Sequence, residues 1–260
     1  MDKKTGLVAF FDILGYQSFL EQNEPEFAGE KILELMNKVK DFPKNTFLKL
    51  FEDWRKTPPD PEPVLTNYLT AFLNQITYLI ISDSIIFTFA LNDGNAEDSE
   101  YGKSFFITYC SMLFNELFSY GFPVRGAIEY GDYILLKSQD TQLFAGRPIV
   151  DAYKSATNLD LSACQISDSV ALAYGENHIY LKYKTPLKTG DEKVLRLLMS
   201  FYFDVQENTY HTIPDLTQFV IDSFTAHKKM IDKSVQNKIL NTELFLRCCK
   251  AVHLRKTFEG

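Results

Sequence analysis

Residues 7–16 read Leu-Val-Ala-Phe-Phe-Asp-Ile-Leu-Gly-Tyr. From Leu7 to Ile13 everything but Asp12 is apolar, and a run this short and continuous is the pattern of a buried strand. Gly15 then breaks it. An ionised carboxylate among such neighbours is costly unless something compensates its charge. Two compensations are open. One is structural: a salt bridge to Arg or Lys, or a cap on the helix that follows. The other is a metal ion held at the end of the strand.

Outward from this stretch, residues Gln17 to Lys40 carry Phe19, Leu20, Phe27, Ile32, Leu35, Met36 and Val39 at helical spacings, with Pro25 opening the second of two segments. Asp41 to Val64, punctuated by Pro43, Pro58, Pro59, Pro61 and Pro63, reads as a surface excursion around a short helix near Phe47 to Trp54. Ile76–Ile81 and Ile85–Phe89 are β-branched runs joined by Ser82-Asp83-Ser84, the signature of a hairpin. Asn92 to Glu100 reads as an acidic loop, and Lys103 to Tyr120 as a helix stopped by Gly121 and Pro123. Val124 to Leu136 reads as a strand pair bent at Gly131, and Gly146-Arg147-Pro148 opens a helix to about Leu159. His178–Tyr183 and Val194–Phe203 alternate as strands do, and Pro214–Leu254 reads as two helices. The order predicts an α+β fold: a ferredoxin-like βαββαβ core with helices packed on one sheet face. One domain, 1–260, is expected, its core about 5–205 and a C-terminal helical part about 212–256.

In such a sheet the first strand lies beside the central hairpin, so Asp12 and Asp83 end up at the same edge of the structure. Asp83 alone is an ordinary turn residue. Paired with Asp12 it completes a site in which two divalent cations about 3.5–4 Å apart clamp the attacking and leaving oxygens of a phosphoryl transfer. Leu14-Gly15-Tyr16 stands where strand turns into helix, and the backbone N–H groups and positive helix end there favour a polyphosphate. Arg125, Arg147 and Lys154 are candidate phosphate contacts, each as readily a surface ion pair. Arg125 lies in an otherwise apolar strand and is equally placed to be the structural partner of Asp12.

Composition is ordinary for a chain able to bury a core, with 45% hydrophobic residues. A net charge of −7 argues against binding a nucleic-acid backbone, although a small triphosphate needs only a local cationic pocket. The N-terminal apolar run is too short and interrupted for a signal peptide or membrane span, so a cytoplasmic protein with no membrane partner is expected. Cys110, Cys164, Cys248 and Cys249 form no CxxC pair and read as reduced thiols. His178, His211, His227 and His253 are scattered without ligand spacing.

Phe11-Asp12-Ile13-Leu14-Gly15-Tyr16 resembles the first metal motif of class III nucleotidyl cyclases, and Ser82-Asp83-Ser84 resembles the second, with Ser82 in place of the usual Gly. Arg125-Gly126-Ala127-Ile128-Glu129-Tyr130-Gly131 is similar to the following strand of that family, and Gly146 to Lys154 to the helix that brings a cation to the phosphates. Order and spacing hold from about residue 7 to residue 160. Where adenylyl and guanylyl cyclases carry Asn and then Arg, this chain has Val150 and Lys154, and Lys lacks the bidentate fork of Arg. The compact form looks most like the cyclases of the Pycsar antiphage systems. The resemblance implies two Mn²⁺ or Mg²⁺ ions on Asp12, Asp83 and the Ile13 carbonyl, and in-line attack of a ribose 3′-oxygen on the α-phosphorus. Asp12, Asp83, Arg125 and Lys154 would carry the chemistry, while Leu14, Gly15, Tyr16 and Arg147 bind substrate. It also implies a pyrimidine nucleoside triphosphate as substrate, UTP before CTP, a homodimer with active sites at its interface, and a separate effector activated by the cyclic nucleotide. A degenerate nucleotide sensor without turnover stays open, motivated by Val150 and Lys154. A dinucleotide cyclase is disfavoured by the lack of a Gly-Gly-Asp-Glu-Phe type hairpin.

Overall fold

Strand alternation organises the whole molecule. In the computed structural model, which describes residues 2–43, 45, 63–91, 96–137, 142–174, 180–199, 203–204, 209–210 and 215–259, the first strand β1 runs Asp2–Ile13. Leu7, Ala9, Phe11 and Ile13 enter the main core, while Val8 and Phe10 enter a second, smaller one on the opposite face. Helices α1 (Tyr16–Gln22) and α2 (Pro25–Phe42) follow, then α3 (Pro63–Gln75), strands β2 (Thr77–Ile81) and β3 (Ser84–Ala90), and α4 (Ala96–Ser119). Next come β4 (Val124–Lys137), β5 (Gln142–Ala145), α5 (Arg147–Asn158), β6 (Cys164–Ile166) and α6 (Asp168–Tyr174). Strands β7 (Tyr180–Pro186) and β8 (Glu192–Leu198), a small pair β9 (Phe203–Asp204) and β10 (Thr209–Tyr210), and helices α7 (Leu216–Thr225) and α8 (Lys233–Glu259) complete the chain.

The main sheet has the order β2-β3-β1-β4-β6-β8-β7, with β5 added to β4. Its first four strands are the expected βαββαβ core, β1 lying between β3 and β4. All pairings are antiparallel except β4 with β6. The main core is aromatic. Helix α4 presents Phe106, Tyr109, Leu113 and Leu117 at helical spacing, all fully buried. Tyr109 meets Phe87 of β3 edge-on at 5.4 Å between ring centroids, a contact worth about 0.5–1.5 kcal/mol beyond its buried area.

Several expectations are corrected. Val124 to Leu136 is not a pair of strands but part of one 14-residue strand. Gly131 pairs with Gly6 within the ladder, and a side chain at 131 would meet Pro148 Cγ at 2.9 Å. Its glycine therefore serves the close approach of α5, not a turn. Helices do not all share one sheet face. Helix α5 covers the second cluster, where Ala152 and Ala156 let it settle onto Val8, Phe10 and Ala127. The acidic stretch before Lys103 is largely helical, since α4 starts at Ala96. Helix α3, strands β5 and β6 and helix α6 had no expectation attached. The short helix expected near Phe47 to Trp54 lies outside the described residues. The C-terminal helices pack into the same core: Phe245 is buried, and its ring meets Tyr183 at 5.2 Å.

Candidate active site

Cross-strand register builds the site. On one sheet face Ile81, Ser84, Asp12 and Arg125 form a row across β2, β3, β1 and β4. Asp83 sits in the two-residue turn beside that row. The Ile13 N–H donates to the Asp83 carbonyl at 2.9 Å, which fixes the hairpin tip against the end of β1. Ser82, in the turn, has φ 55°, a left-handed conformation that favours glycine. The site is thus carried by paired strands, the stiffest available support.

Arg125 is committed to Asp12. Its Nε donates to Asp12 Oδ2 at 2.7 Å and an Nη2 lies 2.6 Å from the same oxygen. Its Nη1 donates to the Thr157 carbonyl at the end of α5 at 3.0 Å and to the Leu159 carbonyl at 3.4 Å. The structural compensation for Asp12 is therefore present. Yet burial still pushes the Asp12 carboxyl above 3.8, against the opposing pull of Arg125, and the nearby Asp83 adds to the push. Only Oδ2 is used. Among the described residues no group donates to Asp12 Oδ1, and none to the Asp83 carboxylate.

That donor set suits divalent cations of the Mg²⁺ type. Such ions are held by one or two carboxylates together with substrate phosphates and water, not by an all-protein cage. Among the described residues no group of three or more His, Cys, Asp or Glu side chains is placed to hold a metal ion. Asp12 and Asp83, with the Ile13 carbonyl, are the groups that would hold the ions.

Gly15 has φ 76° and caps α1, and a side chain there would meet Lys229 Cδ at 3.3 Å. The Leu14 N–H is taken by the Pro123 carbonyl at 2.8 Å, so it does not serve a phosphate, as expected for Leu14, without rearrangement. The Tyr16 hydroxyl reaches the site: burial raises its pKa, its hydrogen bond with Ser82 lowers it, and Asp83 raises it again. Arg147 and Lys154 are not brought to the aspartates in the same way. Arg147 is 91% exposed and its Nε pairs with Asp151 at 3.1 Å. It lies ten residues from Thr157, an axial rise of about 15 Å. Lys154 is exposed one turn before Thr157.

Two charged residues were missed. Lys188, in the turn between β7 and β8, donates its N–H to the Asn158 carbonyl at 2.9 Å. Burial lowers its pKa, as do Arg125 and Lys238, while Asp12 and Asp160 raise it. Lys238 of α8 lies 3.5 Å from Asp160. Lys188 and Lys238 thus add cationic field behind Asp12. Their sequence signal was only a lysine before Thr-Gly in a hairpin and one in a helix; the sheet and α8 bring them together.

No family model matches the chain, and no curated protein matches it. Among solved structures, the guanylate cyclase domain of RhGC from Catenaria anguillulae in complex with GTP is 9% identical, with 77% of this chain and 99% of that one covered and a TM-score of 0.50. The adenylyl cyclase CyaB from P. aeruginosa is 13% identical, with 75% and 93% covered and a TM-score of 0.46. At these identities the likeness concerns the fold. The α+β architecture is that of class III cyclase domains.

Proposed function

We propose that this chain is a nucleotide cyclase converting UTP to 3′,5′-cyclic UMP and pyrophosphate. One observation carries the reading: on this fold the Ile13 N–H bonds the Asp83 carbonyl, which brings the hairpin turn holding Asp83 to the end of β1, close enough for its charge to act on Asp12. Two Mn²⁺ or Mg²⁺ ions bound there supply activation of the ribose 3′-hydroxyl and neutralisation of the phosphates. The chain's own residues do the rest. Arg125 holds Asp12 by one oxygen and leaves the other for a cation. Tyr16 and Gly15 line the approach of the triphosphate, and Lys188 adds positive field for the departing pyrophosphate.

The pyrimidine preference rests on Val150 and Lys154, which stand where the purine cyclases carry Asn and Arg. CTP is the next substrate to consider. A role as second-messenger source in antiphage defence, acting on a separate effector, rests on the motif resemblance. The homodimer rests on two observations. Ile81, Val150 and Tyr153 are 57%, 49% and 51% exposed; Ile81 lies in the Asp12 row, and Val150 and Tyr153 on the helix covering that face. Arg147 also lies about 15 Å along α5 from Thr157, whose carbonyl accepts from Arg125, the partner of Asp12.

Incubation with each of the four nucleoside triphosphates and Mn²⁺ tests the proposal. Cyclic UMP is expected, and the absence of any cyclic product overturns it. Asp12→Ala and Asp83→Ala are each expected to lower turnover by at least about a thousandfold, as for loss of an electrostatic transition-state contact. The Arg125–Asp12 pair favours a second reading, a nucleotide sensor without turnover, in which the aspartate serves only the fold. Tight nucleotide binding without pyrophosphate release supports that alternative.

A further inference from the structure

The connection between α7 and α8 touches α1 and the turn that leads into it from Asp12 at three points. The Met230 N–H donates to Ser18 Oγ at 3.0 Å, near the start of α1. Asn23 Nδ2, just past the end of α1, donates to the His227 carbonyl at 2.7 Å. Between them the Lys229 stem lies against Gly15. The Lys229 ammonium reaches further, donating to the Gly121 carbonyl at 2.5 Å and the Ser223 carbonyl at 3.2 Å, over the Phe122 ring. Gly121 opens the turn into β4, and Pro123 of that turn accepts the Leu14 N–H. Lys229 therefore ties together the turn that follows Asp12 and the turn that precedes Arg125.

The connection is held in an unfavourable backbone form. His227 and Lys228 both have φ 59°, and non-glycine residues stay in that region only where their surroundings over-determine it. Stacking of His227 on Phe122 at 4.7 Å between centroids and a bond between His227 Nε2 and the Tyr120 carbonyl provide that restraint. Lys229 is only 6% exposed.

We propose that Lys229 is a positioning residue for the metal turn, and that the C-terminal helices act on the proposed cyclase site through it. The proposal rests on the cyclase reading for its kinetic consequence but not for its structural one. Lys229→Ala removes both stem and ammonium, Lys229→Met keeps the stem, and Lys228→Ala alters the exposed neighbour.

Three measurements on the full chain decide it: amide hydrogen exchange in residues 13–20, Mn²⁺ binding to the free protein, and the Mn²⁺ dependence of turnover. Lys229→Ala is expected to speed exchange at Leu14 and Phe19, whose N–H groups bond the Pro123 and Gly15 carbonyls, and to weaken Mn²⁺ binding by about tenfold, as for loss of a group that orients ligands. The KM for the nucleotide at saturating Mn²⁺ should stay within about twofold, because no substrate contact is removed. Lys229→Met should recover part of both losses, and Lys228→Ala should match wild type. Unchanged exchange and Mn²⁺ binding in Lys229→Ala overturn the proposal. So does acceleration spread evenly over β1 and β4, which assigns Lys229 to global stability alone. If Lys229→Ala does not fold, Ser18→Ala, which removes only the acceptor of the Met230 N–H, carries the same comparison. If wild type cyclises nothing, the cyclase reading falls while exchange and Mn²⁺ binding still decide the role of Lys229.

Discussion

Asp12 and Lys229 are both buried ionisable residues, and their signs differ. For Asp12, burial outweighs the pull of Arg125 and leaves the carboxyl above its ordinary 3.8. A raised carboxyl pKa means the fold disfavours the ionised form, a penalty present above the raised pKa and relieved as pH falls. Asp12→Asn escapes that penalty and keeps an oxygen for Arg125. Its thermal midpoint at pH 7 is expected to stay within about 8 °C of wild type by calorimetry, because relief of that penalty offsets part of the cost of leaving the buried Arg125 guanidinium without its counter-charge, and cyclisation is expected to be lost. A midpoint lowered by more than about 8 °C, more than 2 kcal/mol for a chain of this size, makes the Arg125 pair the main role of Asp12. For Lys229, burial pulls the pKa down to about 7 from 10.5. Between those values the unfolded chain holds a proton that the folded one lacks, so stability rises with pH across that window, by up to about 1.4 kcal/mol per unit. His227 is held below 6.5 by burial and by Lys229 and Lys31, against the pull of Glu34, so it stays neutral there. Urea unfolding at pH 7, 8 and 9 should show wild type gaining on Lys229→Met; parallel curves would remove the buried charge from the account.

At the scale of elements, glycine distinguishes turns that must be as they are from turns that merely are. Gly15, with φ 76°, holds a conformation that L side chains rarely adopt, and a Cβ there would press on Lys229 Cδ at 3.3 Å. Gly15→Ala is expected to cost about 1–2 kcal/mol and to weaken the metal turn. Gly29, exposed within α2 and with nothing near its missing Cβ, is the opposite case. Gly29→Ala should stabilise by about 0.5–1 kcal/mol, and paired denaturation curves for the two variants check both signs. The elements most legible in sequence were those with a local period: β1, the hairpin around Asp83, and α2. Gly131 misled because its reason is Pro148 of another element, and β6, three residues long, has too few positions for alternation to register. Asp12 stands out in sequence as a charge within an apolar strand, whereas Asp83, an ordinary turn residue by itself, gains weight only beside it. The bond between Arg125 and Asp12, and the approach of Lys188 and Lys238, depend on cross-strand register and on α8, which no local pattern encodes.

The whole molecule poses a question of reach. Asp12 lies at the end of α5 marked by Thr157, and Arg147 at the other end, an axial separation of about 15 Å. In the proposed homodimer, a second copy across a two-fold axis supplies Arg147 to a triphosphate on Asp12 and Asp83. In a symmetric dimer each site would then join the aspartates of one protomer to the α5 face of its partner. Arg147→Ala is expected to lower kcat/KM by at least about tenfold, the loss of one charge-assisted contact. Asp12→Asn alone is expected to be inactive. Mixed in equal amounts and allowed to exchange subunits, the two variants form heterodimers in half of the assemblies. Each heterodimer holds one site with both lesions and one with neither. Activity should return to about a quarter of the wild-type level, since one site in four is whole. A mixture no more active than Arg147→Ala alone at half its concentration would place Arg147 outside the site of a partner, and the exposed Val150 and Tyr153 would then need another explanation.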